Sequence, residues 1–148
     1  MQENLMWTLK QLHLSMEQYG RLQMKEIDIS PTQGAVLQYL FSQKDNTVYA
    51  ADLHVELGIS KSTISSTLRA LRQKGYLVTK ENPADDRKKQ IVLTNKALTM
   101  EKAINDNLQE QQKRLCKKIP AQRLEWLEDD LTIMLGNIRN ESRLEENI

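Results

Sequence analysis

The chain has 148 residues, 39% hydrophobic and 28% charged, with a formal net charge of +1. This composition excludes a disordered chain, and the length suits one compact domain or a small domain with helical extensions. No apolar run approaches the roughly 20 residues that span a bilayer, and the N-terminal MQENLMWTLKQL lacks the basic start and apolar core of a signal peptide, so a cytosolic location is expected.

Residues 3–27 place Leu5, Leu9, Leu12, Met16, Tyr19 and Leu22 at alternating spacings of four and three, the seam of a long amphipathic helix. Such a terminal helix packs on its own domain or forms a dimer interface, and a second long seam at the other chain end favours the dimer. Ser30-Pro31-Thr32-Gln33 is a helix start: Ser30 caps, Pro31 suits the first helical position and Gln33 completes a capping box. Val36, Leu37, Leu40 and Phe41 give that helix an apolar face, and it ends near Gln43 before the turn Lys44-Asp45-Asn46. Thr47-Val48-Tyr49 is short and β-prone, suited to pairing as a third strand with a later hairpin.

Residues 50–57 form a two-turn helix with Leu53 and Leu57 on one face. Gly58 stands where a left-handed conformation is needed, Ile59 plugs the turn and Ser60 caps the next helix. This is a helix-turn-helix pattern. On its second helix Ile64, Leu68 and Leu71 face inward, and the opposite side holds Ser62, Thr63, Ser66, Arg69, Ala70 and Gln73. Ser and Thr are mediocre helix formers, so their density at 62, 63, 65 and 66 points to base edges more than to solubility. Gly75 ends the helix. Leu77–Lys80 and Gln90–Leu93 read as two strands joined by a charged, turn-rich connection over 81–89, a β-hairpin wing. Its Arg87, Lys88 and Lys89 suit phosphates or a narrow minor groove, and Asp85 is expected to pair with Arg87 and shape the tip.

Thr94 caps another long helix with Leu98, Ile104, Leu108, Leu115 and Ile119 among its apolar positions. Pro120 breaks it and opens a last helix with the stripe Leu124, Leu127, Leu131, Met134 or Leu135, and Ile138; residues 140–148 are expected to fray or pack on a partner. Charge is unevenly spread along these elements. Residues 60–90 carry eight basic and three acidic side chains, net +5, against −3 over 1–59, +3 over 91–119 and −4 over 120–148. The helix-turn-helix and wing therefore hold the positive field that nucleic acid requires. The fold class is mainly α with a small β-hairpin wing: a winged helix-turn-helix over 30–94, and a helical dimerisation region over 1–29 and 95–148. The DNA-binding residues expected are Ser60, Lys61, Ser62, Thr63, Ser65, Ser66, Arg69, Arg87, Lys88 and Lys89.

The order of elements over nearly the whole chain resembles the MarR family of bacterial transcriptional regulators. The resemblance is carried by LHVELGISKSTISSTLRALRQKGYLV and the wing, where Asp85-Asp86-Arg87 and Leu93-Thr94 match the family's Asp-x-Arg and Leu-Thr. It implies a homodimer held by its terminal helices, with two recognition helices in successive major grooves of a pseudo-palindromic site and half-sites about 10 bp apart. It also implies a repressor that a small molecule or oxidant releases from double-stranded DNA. Ser66 and Ala70 stand where family members often carry basic residues, Arg69 where an acid is frequent, and Asn95-Lys96-Ala97 where a Gly is common. No operator sequence carries over.

Cys116 is the one cysteine, which leaves no disulfide within the chain; flanking cations favour a thiolate, but an inert thiol is the simpler reading. His13 and His54 have no metal-ligand spacing, and no cofactor is expected. Trp7, His13, Met16 and Tyr39 are candidates for an effector pocket between the dimer helices and the DNA-binding lobe, and are equally explained as packing residues. No Gly-rich phosphate loop or nucleophile–base set suggests an enzyme. The competing function is a winged-helix protein–protein adaptor that does not bind DNA. Such an adaptor would carry aromatic or aliphatic anchors on the recognition face.

Overall fold

The computed structural model describes residues 4–82 and 84–146; within these the side chains of Asn82, Asp85, Asp86, Arg87 and residues 143–146 lie outside the description. The order is α1 (Leu5–Gln23), a single 3-10 turn (Lys25–Ile27), α2 (Pro31–Ser42), β1 (Val48–Tyr49), α3 (Ala50–Leu57), α4 (Lys61–Gln73), β2 (Leu77–Asn82), β3 (Asp85–Leu93), α5 (Asn95–Leu115) and α6 (Ala121–Glu146). Two compact units divide it, Met1–Glu110 and Gln111–Ile148.

In the first unit, α1 is shorter than the seam in the sequence suggests. It stops at Gln23, and Met24, the 3-10 turn and Asp28 in the left-handed region (φ 53) redirect the chain. Met24 is the reason: its side chain is fully buried against Gly34, where an added Cβ would stand 3.4 Å from the Met24 sulfur. The capping box of α2 forms as expected, with Gln33 N–H donating to Ser30 Oγ at 3.2 Å and Ser30 N–H donating to Gln33 Oε1 at 3.1 Å.

The core gathers α2 (Val36, Leu37, Leu40, Phe41), α3 (Leu53), α4 (Ile64, Leu68, Leu71), the sheet (Leu77, Ile91) and α5 (Ala97, Ile104). At roughly 1.5–3 kcal/mol per large apolar side chain before entropy is subtracted, these contacts hold the helix-turn-helix to its lobe. The sheet is antiparallel in the order β1-β3-β2, with Val48 opposite Ile91 and Leu77 opposite Leu93. β1 thus becomes the third strand that its β-prone residues suggest.

The wing differs from expectation in length. β2 runs on to Asn82 and β3 starts at Asp85, so most of the charged 81–89 connection is strand, paired at Glu81–Lys89 and Asn82–Asp85 with a register shift between the two pairs. Backbone pairing needs no apolar side chains when charged ones can stay in water.

Thr94 joins the wing to α5. It accepts from Ala97 N–H at 3.3 Å as a cap and donates to the Gly75 carbonyl at 2.6 Å.

In the second unit the end of α5 turns at Cys116–Pro120 through Lys118 in the left-handed region (φ 70), and α6 begins after Pro120. α6 continues to Glu146, so residues 140–146, expected to fray or pack on a partner, are helical; Asn147 and Ile148 lie outside the described residues. Each residue of α6 from Glu125 to Ser142 is exposed, including Trp126, Leu127, Leu131 and Ile138. No helix among the described residues is long and apolar enough to cross a membrane.

Candidate nucleic-acid interface

The exposed face of α4 begins at a turn only a few backbones fit. Gly58 ends α3 in the left-handed region (φ 65, ψ 27), which costs a residue with a Cβ and costs glycine little. Ser60 then caps α4, accepting from Thr63 N–H at 3.2 Å, while its hydroxyl donates to Thr63 Oγ1 at 2.8 Å. A capped helix N-terminus with Ser60, Lys61, Ser62 and Thr63 all exposed follows.

Along α4 the inward stripe is as spaced: Ile64 and Leu71 are buried and Leu68 nearly so, while Ser65, Ser66 and Arg69 are exposed. Ala70 is half-buried, a departure from the outer position that its spacing gave it, because α4 packs on both α2 and β2 and its covered arc is wide. Two hydroxyls turn back onto the helix: Ser66 Oγ–H and Thr67 Oγ1–H both donate to the Thr63 carbonyl, at 3.0 and 2.7 Å. Thr67 is thereby buried without an orphaned group. Ser66 keeps its acceptor lone pairs for an outside donor.

The far end of α4 is anchored by a residue given no role in the sequence pattern. Lys74 Nζ donates to Gln33 Oε1 at 2.8 Å and to the Asp28 carbonyl, with the Asp28 carboxylate 3.7 Å away. Its own carbonyl accepts from Lys96 Nζ, which also lies 4.7 Å over the Tyr76 ring. The C-terminus of α4 is therefore tied to the start of α2 and to α5. A lysine at a helix end beside Gly75 (φ 82) is the signal by which the sequence could have pointed to it.

On the wing, Lys88 and Lys89 are exposed; Lys88 Nζ lies 5.4 Å from the Tyr49 ring centroid. The expected Asp85–Arg87 pair and the Arg87 contact fall on side chains outside the described residues. The four residues proposed for an effector pocket are dispersed. Trp7, His13 and Met16 are exposed on α1, whereas Tyr39 lines a cavity with Gln43, Thr47, Val48, Tyr49, Asp52, Leu53 and Glu56. Cys116 is a half-buried free thiol.

An inward apolar stripe, an outer hydroxyl and arginine face, and a paired wing with lysines make up a winged helix. A sequence model of the MarR family matches residues 27–88, from the end of the 3-10 turn into β3. Over these residues the chain is similar to the MarR family. Its fold is that of MarR-family transcription regulators, as three solved structures show. The Staphylococcus aureus MepR–DNA complex is similar at 23% identity, covering 90% of this chain and 97% of that one, with a TM-score of 0.84. MarR from Oenococcus oeni PSU-1 is similar at 27% identity over 89% of this chain and 98% of that one, with a TM-score of 0.75. A MarR transcriptional regulator from Methanosarcina mazei Go1 gives 20% identity, 93% and 98% coverage, and a TM-score of 0.81. No curated protein matches the chain. The segment that matches the family model is thus the one that holds α4 and most of the wing.

Proposed function

We propose that this protein is a sequence-specific DNA-binding transcription regulator, non-enzymatic and cytosolic, acting as a homodimer. The observation that carries the reading is the outer face of α4. Ser62, Thr63, Ser65, Ser66 and Arg69 stand exposed there with no bulky apolar side chain among them, so the helix can approach base edges in a major groove. The net +5 of residues 60–90 supports it, as does the likeness to MepR, whose structure was solved in complex with DNA. Residues 30–94 are the DNA-binding part in this proposal, and 1–29 with 95–148 the dimerising part. Ser60, Lys61 and the α4 face position and read bases, and Arg87, Lys88 and Lys89 grip phosphate or the minor groove. A two-fold dimer implies a pseudo-palindromic site with half-sites about 10 bp apart. Repression relieved by a small molecule is the regulatory form that the family likeness favours.

Binding to a pool of duplex DNA, followed by salt titration of a selected fragment, tests this. The expected result is enrichment of an inverted repeat and an affinity that falls steeply between 50 and 200 mM salt, in the manner of about six or more phosphate contacts. Absence of salt-dependent binding to any duplex overturns it and leaves the adaptor reading.

A further inference from the structure

The cavity lined by Tyr39 and Tyr49 is separate from the α4 reading face and has a chemistry of its own. It holds about 150 Å³ and is built by three successive elements: Tyr39 of α2 with Gln43 at its C-cap, Val48 and Tyr49 of β1, and Asp52, Leu53 and Glu56 of α3. Leu53 is fully buried and Val48 half-buried, which gives the cavity apolar wall, while both tyrosines are half-buried. Asp52 and Glu56 are four residues apart and so lie on one face of α3. Neither has an ion-pair partner among the described residues.

Two carboxylates beside two aromatic rings reject anions and attract a cation. The protein already displays the preference: Lys88 Nζ stands 5.4 Å from the Tyr49 centroid, so one ring of the cavity is in contact with a cation of the chain itself. No group of three or more carboxylate, His or Cys ligands suited to a metal ion occurs among the described residues, and aromatic walls favour a cation that carries apolar surface. The cavity corresponds to roughly five waters' share of volume, room for a short or branched alkylammonium.

We infer that this cavity binds a small organic ammonium ion, with Asp52 and Glu56 neutralising its charge and Tyr39 and Tyr49 packing on its alkyl groups. The inference goes beyond DNA binding and does not depend on it, since the binding is read on the protein alone.

The test is a titration of the full chain with tetramethylammonium chloride, followed by NMR of the tyrosine rings and of the backbone amides, against sodium chloride at matched ionic strength. The expected result is a saturable shift at Tyr39, Tyr49, Asp52 and Glu56 that sodium does not produce. Tyr49→Leu should weaken it about tenfold. The double variant Asp52→Asn/Glu56→Gln should abolish saturation while circular dichroism stays unchanged, both side chains being exposed; it decides the matter if Tyr49→Leu does not fold. Shifts that sodium reproduces, or saturation that survives in the double variant, overturn the inference.

Discussion

Ser66 and Arg69 sit one helical step apart on the exposed face of α4, yet their chemistry toward a partner differs. Ser66 spends its proton on the Thr63 carbonyl and keeps acceptor capacity, so it suits the amino group of adenine or cytosine. Arg69 is exposed and presents a donor fork that matches the O6 and N7 of guanine. Arg69→Ala is therefore expected to relax the preference at one base position by about 1–3 kcal/mol, leaving the other positions as they were. Selection from a random duplex pool with wild type and variant side by side checks it, and an unchanged selected sequence would count against Arg69 as a reader.

A second prediction at this scale concerns Tyr76. It is only 4% exposed, and burial, with a smaller contribution from the Asp28 carboxylate, pushes its hydroxyl above the usual phenol range. The folded state thus holds the proton more tightly than the unfolded chain. This contribution to stability is fully present below the ordinary value of 10.0 and is lost as pH rises beyond it. Thermal midpoints measured between pH 9 and 11 should fall more steeply for wild type than for Tyr76→Phe.

Among the elements, α4 is the piece most constrained at both ends. Ser60 closes its N-terminus, a contribution of about 1 kcal/mol, and Lys74 ties its C-terminus to Gln33 and Asp28. A helix so fixed presents its outer face with little freedom to tilt, and pre-organisation of that kind lowers the entropic cost of docking. The wing is held differently, by a ladder of backbone pairs with charged side chains outside it. On the proposed function, a lysine there would act on phosphate rather than on base edges. Lys89→Ala should weaken binding to specific and non-specific duplexes alike and lower the slope of log affinity against log salt by about one. Should the variant's slope over 50–200 mM salt equal that of wild type, Lys89 makes no phosphate contact.

At the scale of the whole molecule, the feature to explain is apolar surface left in water. On α1, Trp7 is 59% and Leu22 64% exposed; on α6, Trp126 is 59%, Ile133 62% and Ile138 67% exposed. A monomer rarely leaves apolar patches of this extent uncovered. The expectation is a homodimer that covers them. Sedimentation at micromolar concentration should give twice the chain mass, 17.2 kDa. The variant Leu127→Glu/Leu131→Glu should sediment as a monomer with helical content retained. A wild-type monomer, or a double variant that stays dimeric, would remove α6 from the interface.

Much was legible in the sequence because it is decided within a few residues. The capping box at Ser30 and Gln33, the glycine at 58, the Ser60 cap and the Ile64, Leu68, Leu71 stripe each follow from local backbone chemistry and helical period. The match of Asp85-Asp86-Arg87 and Leu93-Thr94 to a family pattern was legible by resemblance alone. What the sequence could not decide depends on residues distant along the chain. The early end of α1 follows from the packing of Met24 on Gly34, and the anchoring role of Lys74 from partners 41 and 46 positions away. The cavity between Tyr39 and Glu56 required α2, β1 and α3 to meet, since each supplies only part of its wall. The long strands of the wing have the same origin. Charged residues at 81–89 look like a loop in isolation, and only the register of β2 on β3 makes them strand.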